Sequence, residues 1–311
     1  MKLEEAMAKA ILEAKEWEGQ TTPNPPVGAV ILDENLEFLS SAAHQRAGES
    51  HAEILAINKL LPNQKPHTLV VTLEPCHHQG KTPPCTSRIL EAGIKQVVAG
   101  VEDPNPHVQG GGLQFLKSKG LKVSSGLLRK ECQNLIEGFW IRSKENRPMM
   151  IVKTAWTEEG SMIPPAHQKT FTSSKSIRLA HQLRKSADAI LSGSGTILAD
   201  DPLFTVREIP DFENKHRDLI FLDRRKRVSE TWKSRQKNLG FSLVELPDLD
   251  ELYDLLRQKN YLKVLVEAGP SLTESILKSE LWDLHVKISK QTKGEDQIEW
   301  IYSEAFKNLM P

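Results

Sequence analysis

Apolar side chains at positions 3, 7, 10, 11, 14 and 17 recur at helical spacing. They predict an amphipathic surface helix over residues 3–17. The run Thr21-Thr-Pro-Asn-Pro-Pro26 ends it, because proline lacks a backbone donor and holds φ fixed. Residues 27–32 read as a buried strand, with 36–42 returning beside it as a hairpin partner. The pattern then alternates: helix 51–60, strand 68–73, helix 85–92, strand 96–101, helix 111–119, strand 121–125, helix 130–144. Strands alternating with helices of this length predict an α/β sandwich with helices on both faces of one sheet.

Near Asn146-Arg-Pro148 the alternation restarts, with strands at 149–154, 189–192, 218–222 and 262–267 and helices at 174–185 and 271–278. Two domains are expected, 1–147 and 148–311, in keeping with a chain of 311 residues. After Asp283 the chain turns polar, which predicts a shortened second domain.

Charge narrows the range of partners. The chain carries 41 basic and 41 acidic side chains, without the basic excess of a nucleic-acid binder. The basic run Asp223-Arg-Arg-Lys-Arg227 reads as a solvated turn. No apolar stretch approaches the ~18 residues of a membrane span, and the first residues are too acidic and polar for a signal peptide. Three cysteines do not make a disulfide framework and are expected as metal ligands or core residues in a reducing compartment. The expectation is a cytoplasmic protein with neither a nucleic-acid nor a membrane partner.

The chemistry concentrates in Ser50-His51-Ala52-Glu53, Glu74-Pro75-Cys76 and Pro83-Pro84-Cys85. His51, Cys76 and Cys85 make three ligands for Zn²⁺, and an open fourth position for water marks a catalytic site. Zinc makes hydroxide available at neutral pH, and Glu53 is the catalytic group that moves protons beside it. Residues two apart in a helix interior point about 200° apart. His51 and Glu53 can therefore converge only if His51 stands at the helix start, with Ser50 as the expected N-cap. Cys85 after two prolines also suits a helix entrance, where thiolate is favoured. Cys132 is expected in the core, and His67, His77 and His78 as loop residues. A zinc-stabilised structural module is disfavoured, because only three protein ligands are visible.

Zinc deaminases combine H-x-E with a later P-C-x-x-C. This chain keeps His-Ala-Glu but places eight residues between Cys76 and Cys85. That loop, with Thr22-Pro-Asn-Pro-Pro-Val-Gly-Ala-Val30, His44-Gln-Arg-Ala-Gly-Glu-Ser-His-Ala-Glu53, Thr72-Leu-Glu-Pro-Cys76 and Asp103-Pro-Asn-Pro106, resembles the bacterial bifunctional riboflavin biosynthesis (RibD) family. The family joins a pyrimidine deaminase to a reductase. The resemblance implies a cytidine-deaminase-like three-layer α/β/α domain followed by a dihydrofolate-reductase-like α/β domain. It also implies a small-molecule substrate, 2,5-diamino-6-ribosylamino-4(3H)-pyrimidinone 5′-phosphate, deaminated at C2. Asn24, His44, Lys81 and Asn105 match family positions that line the substrate pocket.

In the second half, Lys153-Thr-Ala-Trp-Thr-Glu-Glu-Gly160, Gly193-Ser-Gly-Thr-Ile-Leu-Ala-Asp-Asp-Pro202 and Val266-Glu-Ala-Gly-Pro-Ser-Leu272 are similar to the family's reductase domain. The resemblance implies NADPH held by Thr196, Asp200 and the loop Gly269, Pro270, Ser271, Leu272, Thr273, Glu274 and Ser275. A glycine turn opening a helix suits a phosphate. It further implies that Arg184, Arg207 and Glu267 face the ribosyl phosphate, with Lys153 near the hydride-transfer centre, and that the chain forms a homo-oligomer. An arginine pair suits a phosphate because each guanidinium can bind it bidentately. The chain departs from the family pattern at Thr157-Glu-Glu-Gly160, at Ala166-His-Gln-Lys-Thr170 and after Asp283. Two readings stay open here: a two-step riboflavin enzyme, or a deaminase whose degenerate reductase-like domain serves assembly or substrate binding.

Overall fold

The computed structural model describes residues 1–77, 83–105, 111–165, 170–279 and 281–310. The chain divides into two units, Met1–Glu145 and Asn146–Pro311.

The first unit begins with α1 (Leu3–Glu16), which buries Ala6, Met7, Ala10, Ile11 and Ala14. Small side chains on this face let the helix lie directly on the sheet. A Cβ on Gly28 would sit 2.0 Å from the Ala10 carbonyl oxygen, so only glycine admits this approach. Then come β1 (Gly28–Leu32), β2 (Phe38–Ala43), α2 (Ala52–Asn58), β3 (Thr68–Leu73), α3 (Cys85–Glu91), β4 (Gln96–Val101), α4 (Gly111–Ser118) and β5 (Lys122–Ser125). The unit closes with α5 (Arg129–Leu135) and α6 (Glu137–Glu145). The expected single helix at 130–144 breaks at Ile136, which leaves helical backbone at φ −111°, just before the helix-weakening Gly138.

The five strands run in the order β2-β1-β3-β4-β5. β1 pairs antiparallel with β2 and β3, whereas β3, β4 and β5 are parallel. Side chains of α2, α3 and α4, among them Ala56, Ile89 and Leu116, share a core with Ala29, Ile31, Val71 and Val97. α1 and α5 pack together and against β1, β3 and β4, completing the three layers.

The second unit contains β6 (Met149–Trp156), α7 (Ser174–Ser186), β7 (Ala189–Gly193), α8 (Ser194–Asp200), β8 (Arg217–Leu222), α9 (Glu230–Asn238), β9 (Phe241–Leu246), α10 (Leu249–Gln258), β10 (Lys263–Val266) and α11 (Pro270–Lys278). It ends with β11 (Leu284–Ser289), β12 (Gln297–Tyr302) and α12 (Glu304–Leu309). The strand order is β12-β11-β6-β10-β7-β8-β9, with β12 antiparallel to its neighbour and the other pairings parallel. One core layer gathers Leu252, Leu256 and Ile276 against Met150, Val152 and Val264. A second gathers Ile197 and Trp232 against Leu219 and Phe221.

Although the chain turns polar after Asp283, β11 and β12 still form there. Leu284, Val286 and Ile288 are buried along β11, and the polar positions between them find partners, such as Lys287 with Glu299 of β12 at 3.4 Å. Alternation with charged residues lowers the mean hydropathy of a strand without removing its apolar face. Asp283, fully buried, anchors the start of β11 by accepting from the Met150 amide and both Arg147 Nη atoms, each at 2.8 Å. In the turn after β6, Thr157 donates its amide to the Ser161 carbonyl at 2.8 Å and accepts from the Ser161 amide. Of Ala166-His-Gln-Lys-Thr170, positions 166–169 lie outside the described residues. The basic residues Arg224–Arg227 are exposed in a turn after β8. Among the described residues, no helix is long and apolar enough to cross a membrane.

Candidate active sites

In the first unit His51, Cys76 and Cys85 come from three separate places in the chain. His51 is itself the N-cap of α2, with extended backbone (φ −70°, ψ 162°), so the expected cap at Ser50 is corrected. That irregular position lets His51 and Glu53 converge despite their i, i+2 spacing. Cys85 opens α3 behind Pro84, and Cys76 follows the end of β3. His51 Nδ1 lies 3.2 Å from Cys85 Sγ and 3.5 Å from Cys76 Sγ, and the three ligand atoms all lie within 4.8 Å of one another. A tetrahedral Zn²⁺ bound at about 2.0–2.3 Å sets ligand atoms about 3.5–3.8 Å apart, so the donor set and its spacing fit zinc. Among the described residues this is the one cluster of three or more such side chains able to hold a metal ion.

The thiols differ in character. A bond from the Cys85 thiol, helped by His51 and opposed by burial, pushes Cys76 down to about 4. The same bond, with burial, pushes Cys85 up. The Cys76 bond also raises His51. Glu53 is 3% exposed, and burial raises its carboxyl pKa despite the opposing field of His51.

These groups open onto a cavity of about 260 Å³, lined among others by Asn24, His44, Glu74, Asp103, Asn105 and Phe139. His44 Nδ1 lies 3.1 Å from the Ser50 carbonyl, and its Nε2 3.1 Å from Asn24 Nδ2. The carbonyl can only accept, so Nδ1 donates; Nε2 of the neutral ring then accepts from Asn24. This orients the Asn24 amide and makes its Oδ1 the remaining acceptor of that side chain. Burial lowers the His44 pKa and favours the neutral ring. Of the sequence-nominated pocket residues, Asn24, His44 and Asn105 meet at this cavity, and Lys81 lies outside the described residues. Glu74 and Phe139 were not nominated. Glu74 was legible only as part of the Glu-Pro-Cys motif, and Phe139 carried no signal. His77 is no metal ligand: it bonds Thr86 Oγ1 at 2.9 Å and stacks on Phe115. His67 likewise bonds Thr68 Oγ1, and His78 lies outside the described residues. Cys132 is fully buried, and burial raises its thiol to about 12.

In the second unit Lys153 on β6, Arg184 on α7 and Glu267 after β10 converge. Arg184 Nε and Nη2 hold the two Glu267 oxygens at 2.7 and 3.1 Å, and Lys153 Nζ lies 3.3 Å from Oε1. Burial alone would raise the Glu267 carboxyl, but Arg184 and then Lys153 outweigh it and hold it down at about 2. Two cations against one carboxylate leave a surplus positive charge. The bidentate fork of Arg184 is directed at Glu267, so the expected arginine pair is not arranged as two open forks. Arg207 is exposed and enters the neighbourhood through its amide, which donates to His181 Nδ1 at 3.0 Å.

The Gly269 amide donates to Thr196 Oγ1 at 2.6 Å, and Gly269 caps α11 with Pro270 in its first turn. Ser271, Leu272, Thr273, Glu274 and Ser275 all fall on α11, whose first turn presents amides that a helix leaves without internal acceptors. Asp200, the last residue of α8, is exposed.

Residues 1–101 match the family described as the cytidine and deoxycytidylate deaminase zinc-binding region, and residues 148–288 match the RibD C-terminal domain. The riboflavin biosynthesis protein RibD of Aquifex aeolicus is 33% identical over 313 residues, covering 93% of this chain and 87% of the relative. The chain belongs to the RibD family of riboflavin biosynthesis proteins. RibD of Escherichia coli is 35% identical, with 93% and 88% covered. Among solved structures, Acinetobacter baumannii RibD superposes with a TM-score of 0.79 at 29% identity, covering 94% of this chain and 87% of that one. A Thermotoga maritima protein titled diaminohydroxyphosphoribosylaminopyrimidine deaminase/5-amino-6-(5-phosphoribosylamino)uracil reductase gives 0.79 at 31%, covering 94% and 89%. The RibD assignment carries a zinc-dependent deaminase and a reductase for which NADPH is implied. The alternative of a degenerate second domain is not favoured, since the RibD C-terminal match spans that unit through β11.

Proposed function

We propose that this RibD-family chain removes the C2 amino group of 2,5-diamino-6-ribosylamino-4(3H)-pyrimidinone 5′-phosphate and then reduces the ribosyl group of the product to a ribityl chain with NADPH. The deaminase occupies 1–147 and the reductase 148–311. The convergence of His51, Cys76 and Cys85 beside buried Glu53 carries this reading. His51 Nδ1 and the two Sγ atoms would hold the zinc. When bound, zinc acts as a Lewis acid that brings the pKa of a water to about 7.

Glu53 then moves protons within the cavity, delivering them to the ring nitrogen beside C2 and to the leaving amino nitrogen. Its burial keeps bulk water from competing for those protons. Asn24, oriented by His44, offers Oδ1 to a ring N–H, and Asn105 forms another part of the wall. Phe139 adds an aromatic face for the heterocycle. Lys81 is assigned to the substrate on its motif.

In the reductase, Lys153, Arg184 and Glu267 form the substrate end, with Arg207 completing the phosphate contacts, and their surplus positive charge suits an anionic sugar phosphate. Thr196, Asp200 and residues 269–275 would hold NADPH, which supplies hydride. The chain is assigned to the cytoplasm, supported by three free cysteines, two of them with the metal-ligand geometry. A homo-oligomer is assigned on the family resemblance.

The test is incubation with the diaminopyrimidinone phosphate, with and without NADPH. The expected result is ammonia release in both cases, and NADPH oxidation only after deamination. Ammonia release with no subsequent NADPH oxidation would overturn the two-step reading.

A further inference from the structure

We propose that Glu74 is a positioning residue of the deaminase, holding the substrate wall at Asp103–Asn105 in register with the metal ligand Cys76. This rests on the deaminase reading above.

Glu74 is 4% exposed and stands two residues before Cys76. Its carboxylate accepts three backbone amides: Asp103 at 3.1 Å on Oε2, and Gly112 and Leu113 at 3.0 Å each on Oε1. Asp103 Oδ1 in turn accepts the Asn105 amide at 2.8 Å, so the carboxylate reaches the pocket wall in two steps. The contact is also fixed sterically. A Cβ on Gly112 would lie 1.8 Å from the Pro75 carbonyl oxygen, so α4 packs against the backbone that leads into Cys76. One side chain therefore ties the segment after β3 that carries Cys76 to the segment bearing Asn105. A carboxylate suits three converging donors because it accepts on both oxygens and offers no hydrogen of its own.

Glu74→Gln separates the two sides. A glutamine oxygen can keep Gly112 and Leu113, while its NH₂ then faces the Asp103 amide, donor against donor. The expected result is a KM for the diaminopyrimidinone phosphate raised about tenfold, in line with losing one charge-assisted bond. The turnover number should change by less than about threefold, with zinc content unchanged. Paired with Asn105→Ala, the effect on KM should be non-additive, because both substitutions act on one wall. Unchanged KM, loss of zinc, or full additivity with Asn105→Ala would each overturn the proposal.

Should Glu74→Gln fail to fold, hydrogen exchange of the native chain decides. Strong protection of the Asp103, Gly112 and Leu113 amides supports the clamp, and exchange at loop rates overturns it. If the native chain releases no ammonia, the functional reading fails, while the exchange measurement still judges the clamp.

Discussion

The two units solve opposite electrostatic problems. In the first, two thiols, an imidazole and a buried carboxylate crowd around one point, and the arrangement is completed by a cation from outside. In the second, Glu267 is already matched by Arg184 and Lys153, and the two cations leave a surplus positive charge. The first unit thus depends on its metal for function. The second holds its charges through its own fold, at the cost of making that fold sensitive to acid.

Substitutions at the zinc site should strike one unit and spare the other. Cys85→Ser should remove zinc, measured by elemental analysis, and abolish ammonia release, while NADPH-dependent reduction of supplied deaminated substrate continues. Zinc at wild-type content would remove Cys85 from the ligand set. Glu53→Gln should retain zinc yet slow ammonia release by about 10²–10⁴-fold, the span of a lost general acid–base. Persistent turnover would refute its proton-moving role.

The second unit should show its difference in acid. The Glu267 carboxyl is depressed in the fold, so its contribution is complete above the ordinary carboxylate range. It falls away as pH drops from about 4.5 towards about 2. The full contribution is about 3 kcal/mol. Hydrogen exchange of peptides from 146–311 should accelerate across that window, and in Glu267→Gln the window should vanish with protection already lowered at pH 7. An unchanged acid profile in that variant would place the stabilising charge elsewhere. The smallest effect is expected at Cys132. Cys132→Ala should leave zinc content and both activities intact and destabilise the first unit by about 1 kcal/mol, measured by urea unfolding. A loss of zinc there would contradict its place in the core.

The His51–Cys76–Cys85 cluster was legible because metal chemistry restricts residue type: few side chains other than His and Cys supply such donors, and their motifs are short and local. Glu74 was not legible as a positioning group, because its three partners lie 29 to 39 residues downstream and are backbone amides that any residue except proline supplies. Phe139 reaches the cavity from α6, and no local pattern links that helix to the Cys76 loop. β12 escaped the pattern for a related reason, since its polar positions become compatible with a sheet only once Lys287 lies opposite Glu299.

The sequence by itself determined the α/β alternation, the restart near Pro148, the residue types of the His51–Cys76–Cys85 cluster, the acidic residue beside it and the family. The family was legible from the resemblance of its motifs, and the rest follows from periodicity or residue chemistry within a few positions along the chain. Tertiary structure alone decided that His51 caps its own helix, that the Arg184 fork is directed at Glu267, and that Glu74 joins the Cys76 segment to α4. These are contacts between distant segments, and their energies exist only after the sheet has brought the segments together.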